Sequence, residues 1–257
     1  MRFVLFVMVL AGLVVATVAP ASAITHGTVD TEHPEVGALI GDTPERDGTW
    51  AYCTGTLISP TVFLTAAHCG HKGQKTARVS FADHYEAGGE LHTGRFVPDP
   101  RYTGKNGLHD MAVVVFPTPV RGITPAMLPS LGLLDRLETD GVLKTARFTP
   151  VGYGSVEPTK DRHELRFHYT DTRSRTSISF KSLRGRWLEL APDSSRDEGG
   201  TCYGDSGGPN YLGGPSSKLL VATTISGLDD ACQFVNLDYR LDTPSARKFL
   251  RDFVALP

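Results

Sequence analysis

Apolar residues are distributed along the chain in two ways. From Phe3 to Val18 they are almost unbroken, behind Arg2 and ahead of Ala21-Ser22-Ala23. A positive start, a short apolar core and a small-residue cleavage site predict an export leader over residues 1–23. The run is short for a bilayer span, and no later segment is long and apolar enough to make one. Beyond the leader, apolar residues come in short runs set between Gly, Pro, Asp and Asn, which predicts many strands joined by frequent turns. Strands are expected over 33–40, 50–58, 62–65, 77–81, 94–97 and up to 116 behind Asp110, then over 147–154, 165–172 and 187–190. Residues 117–140, rich in Pro, Gly and Leu, read as a crossover between two domains, and 173–186 as a solvated basic edge. Helical spacing is confined to the end, where Ala246, Phe249, Leu250, Phe253 and Val254 follow Thr243 as cap and Pro244 in the first turn.

Composition narrows the class. The 257 residues, 40% apolar and 21% charged, describe a globular chain long enough for two cores. The formal charge of −2, or −3 once Arg2 leaves with the leader, gives no basic field for nucleic acid or an anionic membrane. The nine histidines make no zinc set, and Glu86 and Glu90 are too few oxygens for calcium, so both acids read as solvated surface. Four cysteines in an exported chain suggest two disulfides, with three pairings open.

Candidate chemistry concentrates late, at Gly199-Gly200-Thr201-Cys202-Tyr203-Gly204-Asp205-Ser206-Gly207-Gly208-Pro209. A serine among glycines suits a tight turn that pushes its hydroxyl outward and leaves backbone N–H groups uncovered. The stretch also fits the G-x-S-x-G elbow of α/β-hydrolases, but those need a histidine after the serine and none follows His168. The base must precede Ser206. His68, inside Thr65-Ala66-Ala67-His68-Cys69, is the candidate, because an imidazole can take a serine's proton and return it to a leaving group. Asp110 stands between them, delivered by a polar loop to the head of an apolar strand, where a carboxylate can hold the imidazole's tautomer.

Those motifs, in the order His, Asp, Ser, resemble the chymotrypsin-like serine proteases, in look the small secreted bacterial members, from about Ile24 to the terminal helix. The resemblance implies an all-β fold of two six-stranded antiparallel barrels with a C-terminal helix. The first would span 24–125 with His68 and Asp110, the second 126–257 with Ser206. It implies that His68, Asp110 and Ser206 form a catalytic triad, with the Gly204 and Ser206 N–H groups as oxyanion hole. It selects the pairings Cys53–Cys69 and Cys202–Cys232. It also implies that leader removal exposes Ile24, whose ammonium turns inward to pair with Asp205.

The substrate pocket is implied at Gly200, Thr201, Ser226, Gly227 and Leu228. Gly200 stands at the floor, where trypsin-like members carry aspartate. Leu228 stands where glycine usually opens the mouth, which favours a small or medium residue before the cut over Arg or Lys. Asp229 and Asp230 lie nearby, able to attract a cation or to face water. The function implied is a secreted, monomeric serine endopeptidase acting on protein or peptide substrates through an acyl-enzyme. It needs no cofactor or metal, and binds neither nucleic acid nor, after leader removal, membrane. The alternative is a catalytically silent protease-like binding module, although inactive relatives usually lose a triad member and all three candidates are present here.

Overall fold

The computed structural model describes residues 24–257 except 157, 162, 163, 194, 229 and 230, with backbone alone at 161. The leader and the pair Asp229 and Asp230 lie outside the described residues. Six strands close the first barrel: β1 Val36–Ile40, β2 Ala51–Ser59, β3 Val62–Thr65, β4 Thr76–Ser80, β5 His92–Pro98 and β6 Ala112–Val115. They are joined antiparallel in the order β1-β2-β3-β6-β5-β4. Side chains alternate across each strand, so Phe63 points into the barrel with Leu39, Leu57, Phe96 and Val114. Its neighbours Val62 and Leu64 point outward, yet are buried too, because that face meets Tyr153, Tyr211 and Leu241 of the second half. Burial on both faces is why these strands read as continuous apolar runs, each large side chain contributing about 1.5–3 kcal/mol.

The second barrel repeats the order. Its strands are β7 Arg147–Gly152, β8 Ile178–Arg184, β9 Trp187–Ala191, β10 Pro209–Leu212, β11 Leu220–Gly227 and β12 Asn236–Arg240. They run β7-β8-β9-β12-β11-β10, and β10 pairs back with β7 to close the ring. Helix α1, Leu133–Thr139, lies in the crossover, and α2, Pro244–Leu250, near the end of the chain. Thr243 accepts a hydrogen bond from the Ala246 N–H and Pro244 occupies the first turn of α2. The fold is therefore all-β with paired six-stranded barrels, and no helix among the described residues is long and apolar enough to cross a membrane.

Two expectations fail locally. Of the strand expected over 165–172, only Glu164–Arg166 forms, in a small hairpin with Thr159–Asp161. The barrel strand is β8, inside the segment expected to be a solvated basic edge. Arg173 there is 3% exposed: its Nε donates to Asp30 Oδ2 at 3.1 Å, and Arg175 reaches Asp30 Oδ1 at 2.8 Å. The neutralising acid is remote in sequence, so counting local charge misleads. The crossover also carries α1, whose Leu134 N–H donates to Asp242 at 2.8 Å, a contact likewise invisible locally. Finally, Thr28–Val29 pairs with Ser174–Arg175, so the start of the described chain is stitched to the second barrel.

Candidate active site

β3 and β6 are antiparallel neighbours with Thr65 opposite Ala112, which puts the exit of one strand beside the entry of the other. The exit of β3 turns through Ala67–Cys69 and presents His68; the entry of β6 presents Asp110, 2% exposed. Asp110 Oδ1 accepts from the His68 backbone N–H at 2.9 Å, and Oδ2 lies 2.7 Å from His68 Nδ1. A carboxylate at Nδ1 fixes the proton there and leaves Nε2 as the basic atom. Cys69 is joined to Cys53 of β2, fastening the turn to a third strand.

The serine loop crosses from the second barrel to this corner. The Thr54 N–H donates to Ser206 O at 2.9 Å, Thr54 Oγ1 to Gly204 O at 2.9 Å, and the Gly207 N–H to Thr224 O at 2.8 Å. Gly207 has φ +80°, and a Cβ there would lie 2.3 Å from Thr65 Oγ1, so only glycine lets the loop sit against β3. Ser206 and His68 line one cleft of about 750 Å³ between the barrels. No hydrogen bond joins Ser206 Oγ to His68 Nε2, a contact that often tightens only with substrate. Among the described residues the N–H groups of Gly204 and Ser206 donate to no protein acceptor, which leaves both for an oxyanion.

Asp205 faces the other way. It is fully buried; Oδ1 accepts from the Gly154 N–H and Oδ2 from the Cys202 N–H, each at 2.8 Å. Burial outweighs those donors and pushes its carboxyl up to about 7. Ile24, 1% exposed, is buried nearby: its N–H donates to Ser155 O at 3.2 Å, one residue beyond Asp205's partner Gly154. Ile24 and Asp205 are not hydrogen-bonded to each other among the described residues, and in this chain the Ile24 nitrogen is still an amide. Thr25 is tied to the cleft's base, its Oγ1 accepting from the Gly200 N–H at 2.8 Å and donating to Gly200 O at 3.0 Å.

The cleft wall beside Ser206 is made by Thr201, Cys202, Thr224, Ile225, Ser226, Gly227 and Cys232, with Cys202 and Cys232 bonded to each other. Gly200 is buried behind it, and a Cβ at that position would stand 2.8 Å from Asn236 Oδ1. Leu228 does not line the cleft: it is 63% exposed, although its N–H still donates to Val235 O at 2.9 Å. Thr224 and Ile225 line the cleft and were missed by sequence reasoning, with Asn236 buried behind them; two-residue alternation back from Ser226 points toward Thr224, but a bulge between them breaks the count.

With that geometry in view, the relatives are informative. Residues 30–236 match the family model described as Trypsin. Kallikrein-15 of Saguinus oedipus is 30% identical over 180 residues, covering 63% of this chain and 67% of its own. Human granzyme M is 30% identical over 181 residues, 66% of each chain. Trypsin of Phaedon cochleariae is 30% identical over 114 residues, 41% of each. A solved structure of mouse neuropsin, a serine protease expressed in the limbic system, superposes with a TM-score of 0.66 over 89% of this chain and 99% of its own, at 18% identity, a likeness of fold. The family match spans most of the sequence, and the chain belongs to the trypsin family of chymotrypsin-like serine endopeptidases.

Proposed function

We propose that this protein is an exported endopeptidase that cuts peptide bonds through an acyl-enzyme on Ser206. The observation that carries the reading is Asp110's double hold on His68, at the backbone N–H and at Nδ1, on the wall of the cleft that also contains Ser206. Ser206 Oγ attacks the scissile carbonyl while His68 Nε2 takes its proton. Asp110 keeps the ring oriented and stabilises its cationic form. The carbonyl oxygen becomes an oxyanion and accepts from the Gly204 and Ser206 N–H groups. His68 passes its proton to the leaving amine, and the acyl group departs when His68 activates a water.

Export rests on the leader pattern of residues 1–23, and cleavage after Ala23 would give the chain an Ile24 ammonium. That charge would stand beside Asp205, a buried carboxyl whose partners among the described residues are two backbone N–H groups. Pairing them fixes the loop that carries Gly204 and Ser206, so its effect is on order at the site more than on net stability. Residues 24–125 and 126–257 then act as two domains, each contributing one side of the reaction.

A fluorophosphonate probe tests the reading. It labels Ser206 in the chain beginning at Ile24, and peptide hydrolysis falls in proportion to labelling. A folded protein that neither labels nor cuts any member of a random peptide library would instead be the silent binding module.

A further inference from the structure

Among the described residues the Asp110 carboxylate accepts only from His68, at the backbone N–H and at Nδ1. His68 is its sole side-chain anchor, so the direction from which the carboxylate arrives is set by the backbone that carries Asp110. That backbone is unusual. Four of the six residues from Gly104 to His109 have left-handed φ values: Gly104 at 75°, Asn106 at 55°, Gly107 at 60° and His109 at 60°. Glycine takes this conformation without strain, whereas a histidine held there needs surroundings that leave it no alternative. The chain turns immediately after it, where the Met111 N–H donates to His109 O at 2.8 Å with Asp110 at the centre.

His109 has such surroundings, and they come from the far end of the chain. Its Nδ1 lies 3.2 Å from Ser245 Oγ, in the first turn of α2. The same Oγ lies 3.5 Å from both Arg101 Nη1 and Tyr239 Oη, and Arg101 Nη2 donates to Ser245 O at 2.9 Å. Arg101 is itself fixed by the buried Asp99, whose Oδ1 accepts from Nε at 2.9 Å and Oδ2 from Nη2 at 2.6 Å. The Asp99 N–H donates to Met111 O at 2.8 Å, which brings the chain of contacts back to the other side of Asp110. Both neighbours of Asp110 are therefore tied to one serine, His109 directly and Met111 through Asp99 and Arg101. A guanidinium only donates, so Ser245 Oγ accepts from Arg101 and keeps its own proton for His109. Burial, with the Arg101 charge, holds the His109 imidazole below its ordinary range, which keeps it uncharged and able to accept at neutral pH.

We propose that His109 is a positioning residue for Asp110: bonded to Ser245, its ring locks the left-handed turn that brings the carboxylate to His68 Nδ1. Without the ring the turn relaxes and the carboxylate moves off Nδ1, so His68 loses its fixed tautomer. His109 is not among the residues that line the cleft, and substrate contacts there stay in place. The loss should therefore fall on the chemical step.

The proposal rests on Asp110 belonging to a triad, so the experiment includes one measurement without turnover. In the chain beginning at Ile24, His109→Ala should lower kcat roughly 10–100-fold with KM within about twofold, and slow fluorophosphonate labelling in parallel. His109→Asn, which tolerates left-handed φ and offers Ser245 an amide, should restore most of the loss. In an Asp110→Asn background His109→Ala should cost no more than about twofold, because the carboxylate it positions is already gone. Should His109→Ala fail to fold, Ser245→Ala removes the partner and keeps the ring, and should show the same split and the same masking at smaller size. Equal losses in both backgrounds, a loss confined to KM, or no loss would overturn the proposal. In Ser206→Ala protein, NMR follows the far-downfield proton between His68 Nδ1 and Asp110, identified by its loss in Asp110→Asn. His109→Ala should shift or broaden that signal, and an unchanged signal would also overturn the proposal. A chain that neither labels nor cuts, yet whose signal responds to His109, would sink the protease reading and leave the clamp standing.

Discussion

The two barrels share one strand order and fill it with different chemistry. The first encloses a dry cluster around Phe63, Leu57, Val79 and Val114, and its site residues emerge at adjacent strand ends, clamped by two hydrogen bonds from Asp110. The second also has an apolar centre, around Phe148, Leu188 and Val221, but buries Asn210, Asn236, Asp238 and Asp205 behind the residues that line the cleft. An apolar core positions a side chain by packing alone, whereas a buried polar cluster holds its shape only when each group finds a partner. The first barrel thus holds its site residues at two packed strand ends, and the second holds the nucleophile loop through buried polar contacts. The glycines differ in kind: Gly204 and Gly207, both at positive φ, bracket Ser206, whereas Gly70, which ends the His68 turn at φ −95°, is required by space alone, since a Cβ there would stand 2.3 Å from the Phe96 ring.

If the barrels contribute halves of one device, removing either half should be equally severe. Ser206→Ala and His68→Ala are each expected to lower kcat/KM roughly 10⁴–10⁶-fold, and the double variant little further, because residues acting as a unit are non-additive. Asp110→Asn should cost about 10⁴-fold by admitting the wrong tautomer. Steady-state kinetics on pure, folded variants checks this. A double variant whose losses multiply would show two independent contributions.

The next effect separates the second barrel's two states. Asp205 has a folded value of about 7 against 3.8 unfolded, so the folded state holds on to its proton longer. Stability of the chain extended before Ile24 is therefore greatest below about pH 4 and falls as pH rises toward 7, by up to about 4 kcal/mol at 1.36 kcal/mol per unit. Freeing the Ile24 ammonium should remove most of that fall by pairing with the ionised carboxylate. The ammonium's own value would rise on pairing, above about 8 unfolded, so its benefit is complete below that and lost at higher pH. Thermal melts of the two forms from pH 4 to 10 should diverge near neutrality and converge again when alkaline. Parallel curves would mean that Ile24 does not reach Asp205.

What is legible in the sequence is whatever depends on neighbours in the chain. His68, Asp110 and Ser206 sit in local frames; β1, β3 and β6 show as apolar runs because both faces are covered, whereas β4 and β5 alternate because one face of each meets solvent. Asp238 and Thr224 are not legible that way. Their meeting depends on the register of β11 against β12, which includes a bulge, and on Asn210 from a third strand. Arg173 is hidden for the same reason: its partner Asp30 lies 143 positions away. Leu228 shows the converse, since position relative to Cys232 suggests a pocket wall, yet the side chain is exposed and does not line the cleft.

Each barrel carries one disulfide at the cleft, which allows a smaller test. The loops close 16 and 30 residues, worth about 3 and about 4 kcal/mol in the chain-entropy model. Their effects on function should differ more than those on stability. Replacing Cys53 and Cys69 by serine leaves His68 clamped by Asp110, so kcat should change little at a temperature where the protein stays folded. Replacing Cys202 and Cys232 frees two residues of the pocket wall, so KM should rise several-fold. Denaturant melts with kinetics on both pairs would settle it, and equal rises in KM would remove the distinction between barrels.

The smallest expected effect tests how the start of the described chain reaches the pocket without touching the oxyanion hole. Thr25 Oγ1 both accepts from and donates to Gly200, and the Thr25 N–H also donates to Gly200 O at 3.2 Å. Gly199 leaves no space for a side chain there, since a Cβ would stand 1.7 Å from Thr25 O. The segment is thus packed tightly under the pocket's base. Thr25→Val keeps the shape and removes the hydroxyl, leaving the buried Gly200 N–H without its acceptor at a cost of about 1–3 kcal/mol. Part of that cost should be relieved by a shift of Gly200, which Asn236 and Thr201 would feel before Ser206 does. The expected result is a rise in KM of several-fold with kcat and fluorophosphonate labelling rate nearly unchanged. A fall in labelling rate instead would show that Thr25 orders the serine loop itself, and that pocket and oxyanion hole are set by one movement.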